Sequence, residues 1–204
     1  MGRPLHRMTS MLSLQITHLA PLSSASLRER LEALPWPEKR QRILRYRQEK
    51  DRQLALLAWS LAAAMLREAG AEDLTLTYTS QGKPFLQQHP DIHFNLSHGG
   101  EMAVCAVSDR PVGADIEPLL PYDAEMAAFA FSPEERAWLA EQEDASLAFT
   151  RLWVKKESYL KCLGSGLSYP LQELTLIPGA LRQQHCHFIE KQIRNHRICV
   201  SECQ

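Results

Sequence analysis

The 204 residues are 45% apolar and 23% charged, with a formal net charge of −1. That excludes a disordered or fibrous chain and is enough for one domain or two small subdomains with a real core. The most apolar run, residues 54–66, is too short to span a bilayer, and Arg3 and Arg7 have no apolar stretch behind them. Neither a membrane partner nor a secretory signal is expected, and the chain reads as cytoplasmic. Five cysteines without a C-x-x-C pair suit a reducing compartment better than a disulfide framework and read as small, half-buried hydrophobes. His185-Cys186-His187 is not taken as a metal tract, because successive strand residues face opposite ways. With no recognised binding motif and a near-neutral charge, no nucleic-acid partner is expected.

Residues 24–34 predict a short helix, interrupted by Pro35-Trp36-Pro37. A second, longer helix is predicted from Pro37, in its first turn, to a C-cap at Gly70, with Leu54, Leu57, Leu61 and Met65 at helical spacing. Residues 28–52 hold nine lysines and arginines against five acids, a stretch able to meet an anion but equally able to be a solvated helix face. Residues 74–78 alternate as a half-buried strand, and Gln81-Gly82-Lys83-Pro84 is a turn. Two apolar runs, 92–96 and 102–107, are predicted as strands joined in a hairpin through Ser97-His98-Gly99-Gly100. Another strand covers 112–116, after which Pro118 and Pro121 interrupt regular structure and divide the chain into subdomains of residues 1–117 and 118–204. Ser132-Pro133-Glu134-Glu135 opens a helix with a capping residue, a proline and first-turn acids. Residues 146–163 form the next helix, closed by Gly164 and Gly166, and the tail alternates as three strands over 174–177, 186–193 and 197–203. Each half combines helices with an antiparallel meander, an α+β architecture.

Three groups carry chemistry. Asp115 and Glu117, two apart in a strand, share a face, so their carboxylates repel unless a cation lies between them. A hard, oxygen-binding ion such as Mg²⁺ suits them, as would simple exposure at a frayed strand end. On the helix of residues 146–163, Trp153, Glu157 and Lys161 fall on one stripe, which is also the pattern of a surface ion pair beside a core tryptophan. Ser97 and His98, with glycine-freed backbone N–H groups at a turn, suit an anion or merely a tight turn.

Their order is more telling than any one of them. Gly82-Lys83-Pro84 is followed by Phe94-Asn95-Leu96-Ser97-His98, by Val112-Gly113-Ala114-Asp115-Ile116-Glu117, and by Trp153-Val154-Lys155-Lys156-Glu157-Ser158-Tyr159-Leu160-Lys161 running on to Gly164-Ser165-Gly166-Leu167-Ser168. With Pro37-Glu38-Lys39-Arg40 upstream, this series resembles the 4′-phosphopantetheinyl transferases of the surfactin-synthetase-activating type over residues 37–171. The resemblance implies a monomer of two similar α/β subdomains with antiparallel sheets, related by a pseudo-twofold axis, with coenzyme A in the cleft between them. It implies transfer of the 4′-phosphopantetheine arm of coenzyme A to a serine of an apo acyl or peptidyl carrier protein of fatty-acid, polyketide or nonribosomal-peptide synthesis, releasing adenosine 3′,5′-bisphosphate.

By the same resemblance Asp115, Glu117 and Glu157 ligate Mg²⁺, and Lys39, Arg42 and His98 hold the 3′-phosphate of the cofactor. Gln81, Gly82, Lys83 and Ser97 line the adenine and phosphate pocket, while Lys156 and Lys161 face the pyrophosphate. Glu157 is the candidate base for the incoming serine, with Lys161 and Lys156 as its catalytic companions. Arg42 stands where a lysine is often found, and Ala55 where a hydroxyl residue can occur. Two other functions compete: a metal-dependent nucleotide phosphohydrolase using the same carboxylates, and a non-catalytic module that binds coenzyme A or a carrier.

Overall fold

The computed structural model describes residues 11–166, 169–178 and 185–204; Leu167 and Ser168 of the last motif lie outside them. Two three-stranded antiparallel sheets form the centre. The first orders β1 (Ser13–His18), β5 (Met102–Ser108) and β4 (His93–Gly99); the second orders β6 (Val112–Pro118), β8 (His196–Cys203) and β7 (Cys186–Ile193). Both have one connectivity, an edge strand, then helices, then a hairpin whose second strand returns to the middle. A small ribbon of β2 (Leu76–Tyr78) and β3 (Pro84–Leu86) stands beside the first sheet.

Every residue of β5 is buried, which suits its unbroken apolar run. Met102, Val104 and Ala106 face Val112, Ala114 and Ile116 of β6 and Ile198 and Val200 of β8, so the inner faces of the two sheets share one core. The alternate residues Cys105 and Val107, with Phe94, pack under Ala62, Ala63, Met65 and Leu66 of α3 (Glu49–Glu68). On the second sheet α6 (Ala145–Leu163) packs with α4 (Ala124–Ala130) and α5 (Pro133–Ala140) around Phe131 and Phe149, rings whose full burial contributes about 1.5–3 kcal/mol each.

The helices expected over 24–34, from Ser132 and over 146–163 are present: α1 spans Ser24–Ala33, α6 covers the last, and α5 opens with a capping box in which Ser132 N donates to Glu135 Oε2 at 2.9 Å and Glu135 N to Ser132 Oγ at 3.2 Å. The long helix expected from Pro37 is instead two, α2 (Pro37–Leu44) and α3. Between Ile43 and Leu54 only Leu44 and Tyr46 are apolar, and breaking the helix there lets Ile43, Ala55, Leu56 and the half-buried Tyr46 meet in one cluster. The strand expected over 174–177 is absent. Leu174 and Leu176 do point into the core as alternation implied, but Leu176 N donates to Glu135 Oε1 at 2.8 Å instead of to a neighbouring strand. Helix α4 was not foreseen; Asp123 caps it, accepting from Met126 N at 2.9 Å.

Two further differences concern pairing. β6 hydrogen-bonds to β8, so sheet membership divides the chain in the turn before Val112 and not after Glu117. Cys186 and Cys203 stand opposite each other in register with Cα atoms 4.1 Å apart and are joined as a disulfide, while Cys105, Cys162 and Cys199 are free and buried. Among the described residues no helix is long and apolar enough to cross a membrane.

Candidate active site

Helix α6 lies against β6 at Gly113. A Cβ there would fall 1.9 Å from the carbonyl oxygen of Ser158 and 2.3 Å from the nitrogen of Cys162, so only glycine admits this approach. Strand β4 also crosses β6 closely: a Cβ at Gly99 would lie 2.4 Å from the carbonyl oxygen of Ile116. The two strands belong to different sheets, and the side chain of Asn95 ties them by accepting from Ala114 N at 2.8 Å.

These contacts bring the predicted acids together. Asp115 and Glu117 share a face of β6, and Trp153, Glu157 and Lys161 share a stripe of α6; all five line one cleft of about 390 Å³. Lys161 Nζ donates to Asp115 Oδ1 at 2.5 Å and to Ser97 Oγ at 3.0 Å, and Ser97 Oγ donates to the same Asp115 oxygen at 2.9 Å. Asp115 is 2% exposed, and its other oxygen, Oδ2, is buried without a partner.

The electrostatics follow from that crowding. Burial, then the Asp115 and Glu157 carboxylates, push Glu117 up to about 7, with Lys161 opposing. Burial and Asp115 also raise Glu157, again against Lys161. Three carboxylates thus share one cleft with a single lysine among them. Among the described residues no three His, Cys, Asp or Glu side chains are arranged to hold a metal ion as they stand. The donor chemistry nonetheless fits a hard cation: all donors are carboxylate oxygens, and Asp115 Oδ2 lacks any other partner.

The facing wall is basic. Lys39 and Arg42, one turn apart on α2, and His98 on β4 line the same cleft, together with Ala55 and Trp59 of α3. Burial holds Lys39 below its ordinary value, and so does the neighbouring Arg42. Burial likewise lowers His98, with Lys161 adding to the effect, which favours a neutral imidazole. Ser97 and His98 lie within β4 and not at the turn, which consists of Gly100 and Glu101 alone.

Other expected residues stand elsewhere. Lys156 is fully buried on the opposite side of α6, 2.6 Å from Glu135 Oε2, and donates to the carbonyls of Ala130 and Leu171, each at 2.7 Å. Successive helical residues diverge by about 100°, so Lys156 cannot share the stripe of Glu157. Lys83 donates to the carbonyls of Val112 at 3.0 Å and Cys162 at 2.8 Å, fastening β6 to the end of α6, and is not part of the cleft lining. Gln81 and Gly82 are exposed in the turn before it. Sequence reasoning missed Trp59, which helical spacing from Ala55 by four residues marks as a neighbour, and Tyr46, which only the break between α2 and α3 turns inward.

Residues 111–201 match the family model described as the 4′-phosphopantetheinyl transferase superfamily, and residues 22–110 match the model described as 4′-phosphopantetheinyl transferase, N-terminal. The chain is 35% identical over 158 residues to a 4′-phosphopantetheinyl transferase of Bacillus subtilis, covering 75% of this chain and 70% of the relative. It is 38% identical over 165 residues to 4′-phosphopantetheinyl transferase psf-1 of Bacillus pumilus, covering 77% and 71%. It is also 32% identical over 134 residues to 4′-phosphopantetheinyl transferase AcpT of Salmonella typhi, covering 63% and 70%.

Proposed function

The chain belongs to the 4′-phosphopantetheinyl transferase superfamily, and we propose that its cleft moves the 4′-phosphopantetheine arm of coenzyme A to a serine of an apo carrier protein, releasing adenosine 3′,5′-bisphosphate. The observation that carries this reading is Asp115. One of its oxygens is held by Lys161 and Ser97, the other has no partner, and the opposite wall is the basic group of Lys39, Arg42 and His98. Acids and bases so arranged can receive a pyrophosphate on one side and a terminal phosphate on the other.

In this reading Asp115, Glu117 and Glu157 would hold Mg²⁺, which would supply positive charge to neutralise the pyrophosphate. Lys39, Arg42 and His98 bind the 3′-phosphate. The serine hydroxyl attacks the phosphorus that bears the pantetheine arm and the bond to the adenosine bisphosphate breaks. Glu157, whose carboxylate lines the cleft beside Asp115, takes the hydroxyl proton. Lys161 turns from Asp115 towards the departing phosphate and stabilises its charge. The common connectivity of the two sheets supports two pseudo-twofold-related subdomains with the cleft between them.

Asp115→Ala and Glu157→Ala test the assignment. Each should abolish transfer of labelled phosphopantetheine while leaving the unfolding transition cooperative, because both side chains face the cleft. Normal turnover by either variant overturns it.

A further inference from the structure

Lys39 is 5% exposed, yet among the described residues its ammonium makes no ion pair with a carboxylate. Its close neighbours are aromatic faces: the ammonium lies 4.2 Å from the ring centroid of Trp59 and 4.8 Å from that of Tyr78. We propose that Trp59 and Tyr78 are positioning residues, a pair of rings that fixes the Lys39 ammonium in the cleft wall and thereby sets the preference for a cofactor carrying a 3′-phosphate over its dephosphorylated form. This rests on the reading of Lys39 as a 3′-phosphate ligand.

The clamp is built from three separate elements and is itself braced. Trp59, on α3, meets Trp36 edge-on, with ring centroids 5.2 Å apart and planes at 70°. The indole of Trp36 donates to the carbonyl of Leu74 at 2.5 Å, which anchors that ring to the segment leading into β2. Tyr78, at the end of β2, donates its hydroxyl to Glu38 Oε1 at 3.4 Å, so the second ring is tied to α2 beside the lysine it faces.

The chemistry favours such a holder. A lysine stem is flexible, and fixing its head before the ligand arrives removes an ordering cost from binding. A carboxylate partner would do the same but would occupy N–H donors and offset the charge, and a phosphate would have to displace it. Aromatic faces attract the cation through their quadrupoles while leaving the N–H donors unspent. Arg42, one turn further along α2, adds charge from the same side.

The test compares coenzyme A with 3′-dephospho-coenzyme A as donors for wild-type protein, Trp59→Leu, Tyr78→Leu, and the ring-preserving Trp59→Phe and Tyr78→Phe. The leucine variants should raise KM for coenzyme A about five- to tenfold, leave kcat within about twofold, and leave both constants for the dephosphorylated donor within about twofold. The phenylalanine variants should recover most of the loss. Tyr78 is 41% exposed, so its variants keep the test open even if Trp59→Leu folds poorly. An equal rise in KM for both donors in the leucine variants, or no rise for coenzyme A, overturns the clamp while leaving the 3′-phosphate reading standing. A wild-type protein that does not discriminate between the donors overturns that reading and the clamp with it.

Discussion

Glu117 illustrates how strongly the acids of the cleft constrain one another. Its carboxyl is driven from an ordinary 4.5 to about 7, so the folded protein binds a proton that the unfolded chain releases between those values. The sign follows directly: stability is unaffected by this group below about 4.5, falls as pH rises through the interval, and has lost the full contribution above about 7. In EDTA, wild-type protein should therefore lose thermal stability between pH 4.5 and 7 more steeply than Glu117→Gln, and coincident profiles would contradict the crowding. Lys156 makes the opposite case, a motif lysine outside the chemistry. Lys156→Met leaves the buried Glu135 carboxyl without its partner and should cost about 3–5 kcal/mol of stability, while kcat/KM of the folded enzyme stays within about twofold. A loss of kcat with stability retained would return Lys156 to the active site.

At the scale of elements, the site depends on how tightly α6 lies on β6. Gly113→Ala would place a methyl 1.9 Å from the Ser158 carbonyl oxygen, forcing the helix away and displacing Glu157 and Lys161 relative to Asp115. A cost of about 1–3 kcal/mol is expected from the overpacking, with kcat/KM reduced by roughly a hundredfold if the displacement approaches 1 Å. Wild-type activity in this variant would contradict the positioning role. Periodicity placed Asp115 and Glu117 on one strand face and Trp153, Glu157 and Lys161 on one helical stripe, but it took the order of the motifs and the family resemblance to join them into a site. It could not read the contacts between elements. The Gly82-Lys83 turn belongs to a motif but fastens β6 to α6 from behind, and the alternation of Leu174 and Leu176 marks a core-facing segment whose backbone partner is the Glu135 carboxylate, not a strand. Helical spacing from Ala55 could mark Trp59 as a neighbour of the cleft but not its place against Lys39, which depends on Lys39 and Tyr78 arriving from α2 and β2.

Across the whole molecule, two sheets of one connectivity meet through a common core, and the cleft opens where β4 of the first crosses β6 of the second. The basic wall comes from α2 and β4, the acidic wall from β6 and α6, so neither half alone carries both walls of the cleft. The α+β class was legible from the alternating runs, whereas the assignment of β6 to the second sheet was not. A strand's partner is a long-range choice made by β8, some eighty residues later, and local pattern is silent on it. The most direct measurement is mass spectrometry of apo carrier proteins incubated with coenzyme A, Mg²⁺ and this protein. One carrier serine should gain the mass of a single phosphopantetheine arm, with an equal amount of adenosine 3′,5′-bisphosphate released. Unmodified carriers of fatty-acid, polyketide and nonribosomal-peptide type, with free phosphopantetheine accumulating in solution, would contradict the account.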